Sequence, residues 1–150
     1  MSETNTIHHW GGTRYRTILG TAETGGAMSM ILAEAEPLNG PPMHVHELED
    51  EIFVVLDGEI VFEVAGRRFT RGPMETAFVP RGTPHSFMTG ARGARGLTVF
   101  TPGGFEGFFS EMARGGFQIP QDLARIAAIA ETYGSRFMGP GLAHREVQHA

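Results

Sequence analysis

The sequence predicts an all-β domain with a short helical extension at its C-terminal end, and three features point that way. Glycine supplies 21 of the 150 residues and proline nine, which cuts the chain into strand-length pieces separated by turns. Asp57-Gly58 lies between two apolar runs and is a strong hairpin signal, because glycine readily takes the positive φ of a tight turn. Beyond Pro102 the apolar residues stop alternating and fall at helical spacing.

Taken in order, residues 1–9 read as a flexible polar tail, in which mobility argues against His8 and His9 as ligands. Trp10–Leu19 reads as a first strand with Tyr15, Thr17 and Leu19 on one side, and Gly20–Gly26 turns the chain. Ala27–Ala35 tolerates a helix by propensity, but the glycines before it and Pro37 after it bound a strand-sized piece. Pro37–Pro42 is a loop, and Met43–Glu47 a brief third strand. Glu51–Leu56 and Glu59–Ala65 form the hairpin about Asp57-Gly58, with Glu51, Phe53 and Val55 on one face. Ile52, Val54 and Leu56 make the other face apolar too, so both faces are covered. A turn at Ala65–Arg68 leads into a strand from Phe69. Ala77–Val79 is a further strand, and the turn Pro80–Pro84 delivers His85 with Phe87 and Thr89 on the same side. Residues 90–96 (GARGARG) read as a solvated basic turn before a last strand, Leu97–Thr101.

Phe105, Phe108, Phe109 and Met112 then fall at i, i+3, i+4 and i+7, an amphipathic helix stopped by Gly115-Gly116, whose aromatic stripe reads as packing. A second helix runs from about Pro120 to Tyr133, with Asp122 in its first turn and Leu123, Ile126, Ala127 and Ala130 on one face. His144 and His149, in the tail that follows, read as exposed. The organisation is thus a tail (1–9), a β-domain (10–101) and a helical extension packed on it (102–150).

With 12 Lys and Arg against 17 Asp and Glu the formal charge is −5, and the basic residues are scattered, which argues against nucleic acid or an anionic membrane as partner. The chain contains no cysteine, which excludes disulfides, thiolate metal sites and cysteine nucleophiles. The N-terminus lacks a basic start followed by an apolar run, and no apolar run approaches a membrane span, so a cytoplasmic location is expected. A domain of this size buries roughly 70% of its unfolded surface unaided, so a bound metal would serve function rather than folding.

The chemistry concentrates in Gly40–Gly58, GPPMHVHELEDEIFVVLDG. His44 and His46 are two apart, which on a strand aims both imidazoles from one face. Glu51 opens the next strand after a turn, and His85 supplies a third imidazole from the later segment PRGTPHSF. Imidazoles with one carboxylate suit a transition metal, and the carboxylate can ligate or accept a proton. Glu47, Glu49 and Asp50 crowd the same turn as alternative acids, though the spacing to Gly58 favours Glu51.

These residues resemble the two sequence motifs of the cupins. His44, His46, Glu51 and Gly58 match the first; Gly72, Pro80, Gly82 and His85 match the second, with a run after Gly72 two residues longer than usual and Thr89 where an Asn often stands. Most of the chain from Trp10 to Leu142 is similar to bacterial monocupins described as quercetin 2,3-dioxygenase-like. The resemblance implies a double-stranded β-helix, a jelly-roll barrel of two antiparallel sheets, with one divalent transition metal ion (Fe, Mn, Ni, Co or Cu, or Zn) on His44, His46, Glu51 and His85.

It further implies a dioxygenase acting with O2 on a flavonol-like or other enolisable aromatic small molecule, Glu51 taking the substrate proton, in a homodimer. An isomerase or lyase on a carbonyl substrate and a non-catalytic small-molecule binder are the alternatives.

Overall fold

The computed structural model describes residues 4–148. Nine strands, all paired antiparallel, carry the fold. β1 (Ile7–Trp10) and β2 (Thr13–Leu19) form a hairpin closed by Gly11-Gly12, with φ of 56° and 73°. This corrects two expectations: Ile7–His9 belong to a strand rather than to a tail, and the strand read as Trp10–Leu19 is cut after its first residue. Two successive residues at positive φ make a primed two-residue turn, which glycine alone enters without strain.

β3 (Ser29–Ala35) and β4 (Met43–His46) follow, close to expectation. β5 (Asp50–Val64) then overturns the Asp57-Gly58 hairpin, because the chain runs straight through it as one strand of 15 residues. β6 (Arg67–Arg71) and β7 (Thr76–Val79) both pair with β5, and β8 (His85–Thr101) runs beside it for its whole length. Residues 90–96 are therefore strand, not the solvated turn expected.

The cause lies in two glycines that face each other. Gly58 (φ 78°) pairs with Ala94, beside Gly93 (φ 77°), and a Cβ on Gly58 would stand 2.3 Å from the Gly93 carbonyl oxygen. The register slips on both sides of Gly58, the mark of a bulge that bends the ladder without ending it. Each long strand therefore serves two sheets. Asp50–Asp57 pair with β7 and the C-terminal half of β8; Ile60–Val64 pair with β6 and the N-terminal half of β8. One sheet runs β1-β2-β3-β8-β5-β7, the other β9-β4-β8-β5-β6, where β9 is Ser135–Gly139. The sharing curls the sheets into the jelly-roll barrel expected.

Two cores fill it. Around β5, β6 and β7, Phe53, Val55, Ile60, Phe62, Ala77 and Val79 pack together. Beneath α1 (Glu106–Gly115) and α2 (Leu123–Thr132), Phe105, Phe108, Met112, Ile126 and Ala130 pack against Ile31 and Phe100 of the barrel. Gly116 ends α1 in the left-handed conformation, as its sequence predicts. Beyond Gly134 the chain does not trail away: β9 pairs with β4, and a third helix, α3 (Leu142–Gln148), buries Leu142 completely.

Candidate metal centre

Three imidazoles and one carboxylate, from His44, His46, His85 and Glu51, come together in the barrel with their ligand atoms all within 4.8 Å of one another. The two sheets divide the work. β4 supplies His44 and His46, and β8 supplies His85 directly opposite His44; Glu51 enters from the other sheet, beside Phe100. The period-2 argument holds, since Glu51, Phe53 and Val55 are all buried while Ile52, Val54 and Leu56 are less so.

Each imidazole is held by its Nδ1 atom. That of His44 lies 2.8 Å from the Pro42 carbonyl, that of His85 2.9 Å from the Thr83 carbonyl, and that of His46 3.1 Å from Glu49 Oε1. Acceptors at Nδ1 require the proton there, which leaves Nε2 on all three rings as the nitrogen free to ligate a metal once it carries no proton. His85 Nε2 lies 2.9 Å and His46 Nε2 3.6 Å from the same oxygen, Glu51 Oε1. Three oriented nitrogens and one carboxylate, within 4.8 Å of one another and so only a few tenths of an ångström wider than two bonds of about 2.2 Å to a central ion span, fit a nitrogen- and oxygen-ligated metal.

Burial and mutual repulsion set the protonation. Burial, then the charges of His85 and His46, hold His44 well below the ordinary histidine pKa despite the Pro42 carbonyl, so His44 is neutral. Burial also pushes His85 down, but the hydrogen bond and charge of Glu51, with the Thr83 carbonyl, outweigh it and leave His85 raised. Without a metal, His85 therefore holds its second proton to higher pH than an ordinary histidine does.

The alternative acids have other occupations. Glu49 is 3% exposed and orients His46, a role that the sequence reading missed although Glu49 stands in HELEDE. Asp50 accepts the backbone N–H and guanidinium of Arg81, and Glu47 pairs with Arg136. The Asp50–Arg81 contact, with Gly82 N–H donating 2.8 Å to the His46 carbonyl, fastens the Pro80–Pro84 turn over β4 and so delivers His85. Thr89, in the position where an Asn was expected, holds the loop before β4: its hydroxyl donates to the Glu36 carbonyl and accepts from the Asn39 amide.

His44, His46 and Glu51 of the cluster line a cavity of about 660 Å³, whose wall also carries many aromatic rings. Here the aromatic stripe of α1 departs from expectation. Phe105 does pack, with its ring 4.5 Å from that of His46, but Phe105, Phe108 and Phe109 also line the cavity. Trp10 and Phe108 meet edge to face at 5.6 Å, and Tyr15 stacks on Phe109 at 4.3 Å. Burial, only partly opposed by Thr13, pushes the Tyr15 phenol up to about 12, so it remains a neutral donor. His144, read from the sequence as exposed, is partly buried and lines the cavity; His149 lies outside the described residues. Ser135 and Phe137 of β9 line it as well. Gly134 and Gly139, bounding an aromatic-containing run, were the signal that could have marked that strand.

Residues 31–100 match the family model of the cupin domain. A quercetin 2,3-dioxygenase of Bacillus subtilis (strain 168) is 26% identical over 99 residues, which cover 66% of this chain and 29% of that protein. By fold and by these matches residues 31–100 form a small cupin domain. The chain spans less than a third of the length of that relative. Among solved structures, KdgF from Halomonas sp. aligns with a TM-score of 0.61 at 17% identity, over 67% of this cupin and 88% of that chain. The polyketide cyclase RemF from Streptomyces resistomycificus aligns with a TM-score of 0.54 at 29% identity, over 67% and 70%.

Proposed function

We propose that this cupin is a metal-dependent dioxygenase that uses O2 on a flavonol-like or other enolisable aromatic small molecule. The observation that carries the reading is the His44–His46–Glu51–His85 cluster at the base of an aromatic-walled cavity. The low-identity likeness to a quercetin 2,3-dioxygenase supports it.

A divalent transition metal ion on these four side chains would supply Lewis acidity toward a substrate hydroxyl and electron transfer toward dioxygen. The chain's own residues do the rest. Glu51 Oε1, already facing two imidazoles, accepts the proton of the substrate hydroxyl. Phe105, Phe108 and Phe109 clamp an aromatic ring and exclude water, which strengthens every charge interaction at the floor. Glu49, Pro42 and Thr83 keep the three rings aimed while the substrate comes and goes. Phe78, 57% exposed on β7, offers an apolar surface that a second copy would cover in a homodimer.

Protein expressed without added metal and then analysed elementally should carry close to one transition metal ion per chain. Incubated with quercetin under oxygen, it should bleach the flavonol with uptake of one O2 per substrate. Failure to bleach any flavonol rules out that substrate class.

A second reading, cyclase, isomerase or lyase chemistry on a carbonyl compound with Glu51 as base, draws on the 29% identity to a polyketide cyclase. Turnover that continues under argon selects it. Under either reading Glu51→Gln keeps the imidazoles and the cavity, so ligand binding should survive while turnover falls at least 100-fold. Undiminished turnover in that variant would mean that a group other than Glu51 is the base.

A further inference from the structure

Six buried side-chain atoms have no hydrogen-bond partner among the described residues, and two of them, Ser135 Oγ and His144 Nδ1, belong to residues that line the cavity. The other four, on His8, Arg16, Ser29 and Arg145, belong to residues elsewhere. Buried polar atoms without partners are uncommon, and a polar atom on a residue of a largely apolar wall has one obvious complement, a heteroatom of whatever fills the space.

The fold fixes where both residues stand. Ser135 is 1% exposed and lies opposite His46 across the β4–β9 pair, so the two side chains share a face. His144 is carried by α3, whose start is pinned near the metal centre: the Leu142 N–H donates 3.2 Å to Ser86 Oγ, and Ser86 Oγ donates to the Pro41 carbonyl. Gly141 just before it admits no side chain, since a Cβ would stand 1.9 Å from the Pro41 oxygen. A strand paired with β4 and a helix docked beside His85 are thus built to hold these two groups still. Both lie outside residues 31–100, the stretch matched to the family, so the metal-binding half and this C-terminal strap are separable in sequence.

We propose that the C-terminal strap, residues 135–148, selects the substrate: Ser135 Oγ and His144 Nδ1 hydrogen-bond oxygen substituents of a polyhydroxylated aromatic guest. The inference rests on reading the cavity as an aromatic-substrate site, and it assigns to two residues the preference for an oxygenated over a bare ring system. Ser135 can donate or accept, and His144 does either according to its tautomer, so hydroxyl and carbonyl substituents both satisfy them.

Trp10, the single tryptophan, lines the cavity and reports occupancy without any turnover. The purified full-length protein is titrated under argon with quercetin and, separately, with flavone, which lacks the hydroxyls, and the quenching of Trp10 gives an affinity for each. The ratio of the two affinities should fall about tenfold in Ser135→Ala and about tenfold in His144→Ala. Melting temperature provides the second arm: Ser135→Ala should melt at or above the wild type, because the hydroxyl it removes has no partner in the ligand-free protein. Wild-type quenching with an unchanged ratio in both variants, or a Ser135→Ala protein that melts markedly lower, overturns this inference alone. A wild type that neither probe quenches overturns it together with the aromatic-substrate reading.

Discussion

Around β5, β6 and β7, six buried hydrophobic residues from Phe53 to Val79 pack with Phe69 and Phe87, and ring meets ring from Phe53 to Phe62 at 5.0 Å and from Phe62 to Phe69 at 5.6 Å. Beneath α1 the rings are as dense, with Phe105 meeting Phe108 at 5.1 Å and Phe109 at 5.4 Å, yet Phe105 touches the His46 imidazole and all three border open space. Aromatic residues therefore play two roles in one barrel. At Phe62, which is enclosed and off the cavity, nearly every contact lowers the free energy of the folded chain; at Phe105, Phe108 and Phe109, as at Phe53 and Phe87 on the edge of the first region, part of the ring's surface waits for a guest, and that stabilisation appears only on binding.

The sharpest way to test the contrast is to truncate one ring in each region. Phe62, 1% exposed, should cost roughly 3–5 kcal/mol on conversion to alanine, since it leaves a cavity in a filled core. Phe109, partly buried with one side on the cavity, should cost on the order of 1 kcal/mol on the same change, because the adjoining space already exists. Urea unfolding of the two variants reads both. Equal losses would dissolve the distinction and make the α1 aromatics an ordinary core.

A smaller effect separates ligand from supporter at the cluster. Glu49→Ala should lower metal affinity 10- to 100-fold, about 1.4–2.7 kcal/mol, because His46 loses the acceptor that aims its ring. Glu49→Gln should lose less, since an amide oxygen still accepts the Nδ1 proton. Competition with a chelator measures the affinities, and an unchanged value for Glu49→Ala would reduce Glu49 to packing.

The metal cluster was legible in the sequence for a physical reason. His44, His46 and Glu51 lie within eight residues, and His85 sits on a turn made rigid by Pro80, Gly82 and Pro84, so local geometry decides most of where the side chains aim. Only the contacts of that turn with β4 and Asp50 are long-range. What misled was any feature whose meaning depends on a distant partner. Asp57-Gly58 suits a hairpin and a bulge equally, and only Gly93, 35 residues further on, selects the bulge. GARGARG looks like a loop because its alternation is broken by glycines that neighbouring strands require for close approach: a Cβ on Gly93 would stand 2.5 Å from the Ala35 oxygen, and one on Gly96 2.8 Å from the Val54 oxygen. Residues 135–144 are too short and polar to announce a strand and a docked helix, and β4, on which that strand lies, is nearly a hundred residues earlier.

The mildest prediction concerns pH, and it follows from the asymmetry between His44 and His85. His44 is held well below its usual pKa, so it needs no deprotonation to bind a metal at neutral pH. His85 is raised by Glu51, so in the metal-free protein its proton must leave before Nε2 can coordinate. One proton is released per metal bound wherever the pH lies below the His85 pKa, and none above it. Apparent metal affinity should therefore be flat at high pH and fall about tenfold per unit once the pH drops below a break lying above 6.5, the ordinary histidine value. Replacing the carboxylate in Glu51→Gln takes away the charge and weakens the hydrogen bond that raise His85, so the break moves to lower pH. Isothermal titration in buffers of differing ionisation enthalpy counts the protons directly; a break that stays in place in Glu51→Gln would mean that the proton resides elsewhere than on the His85–Glu51 pair.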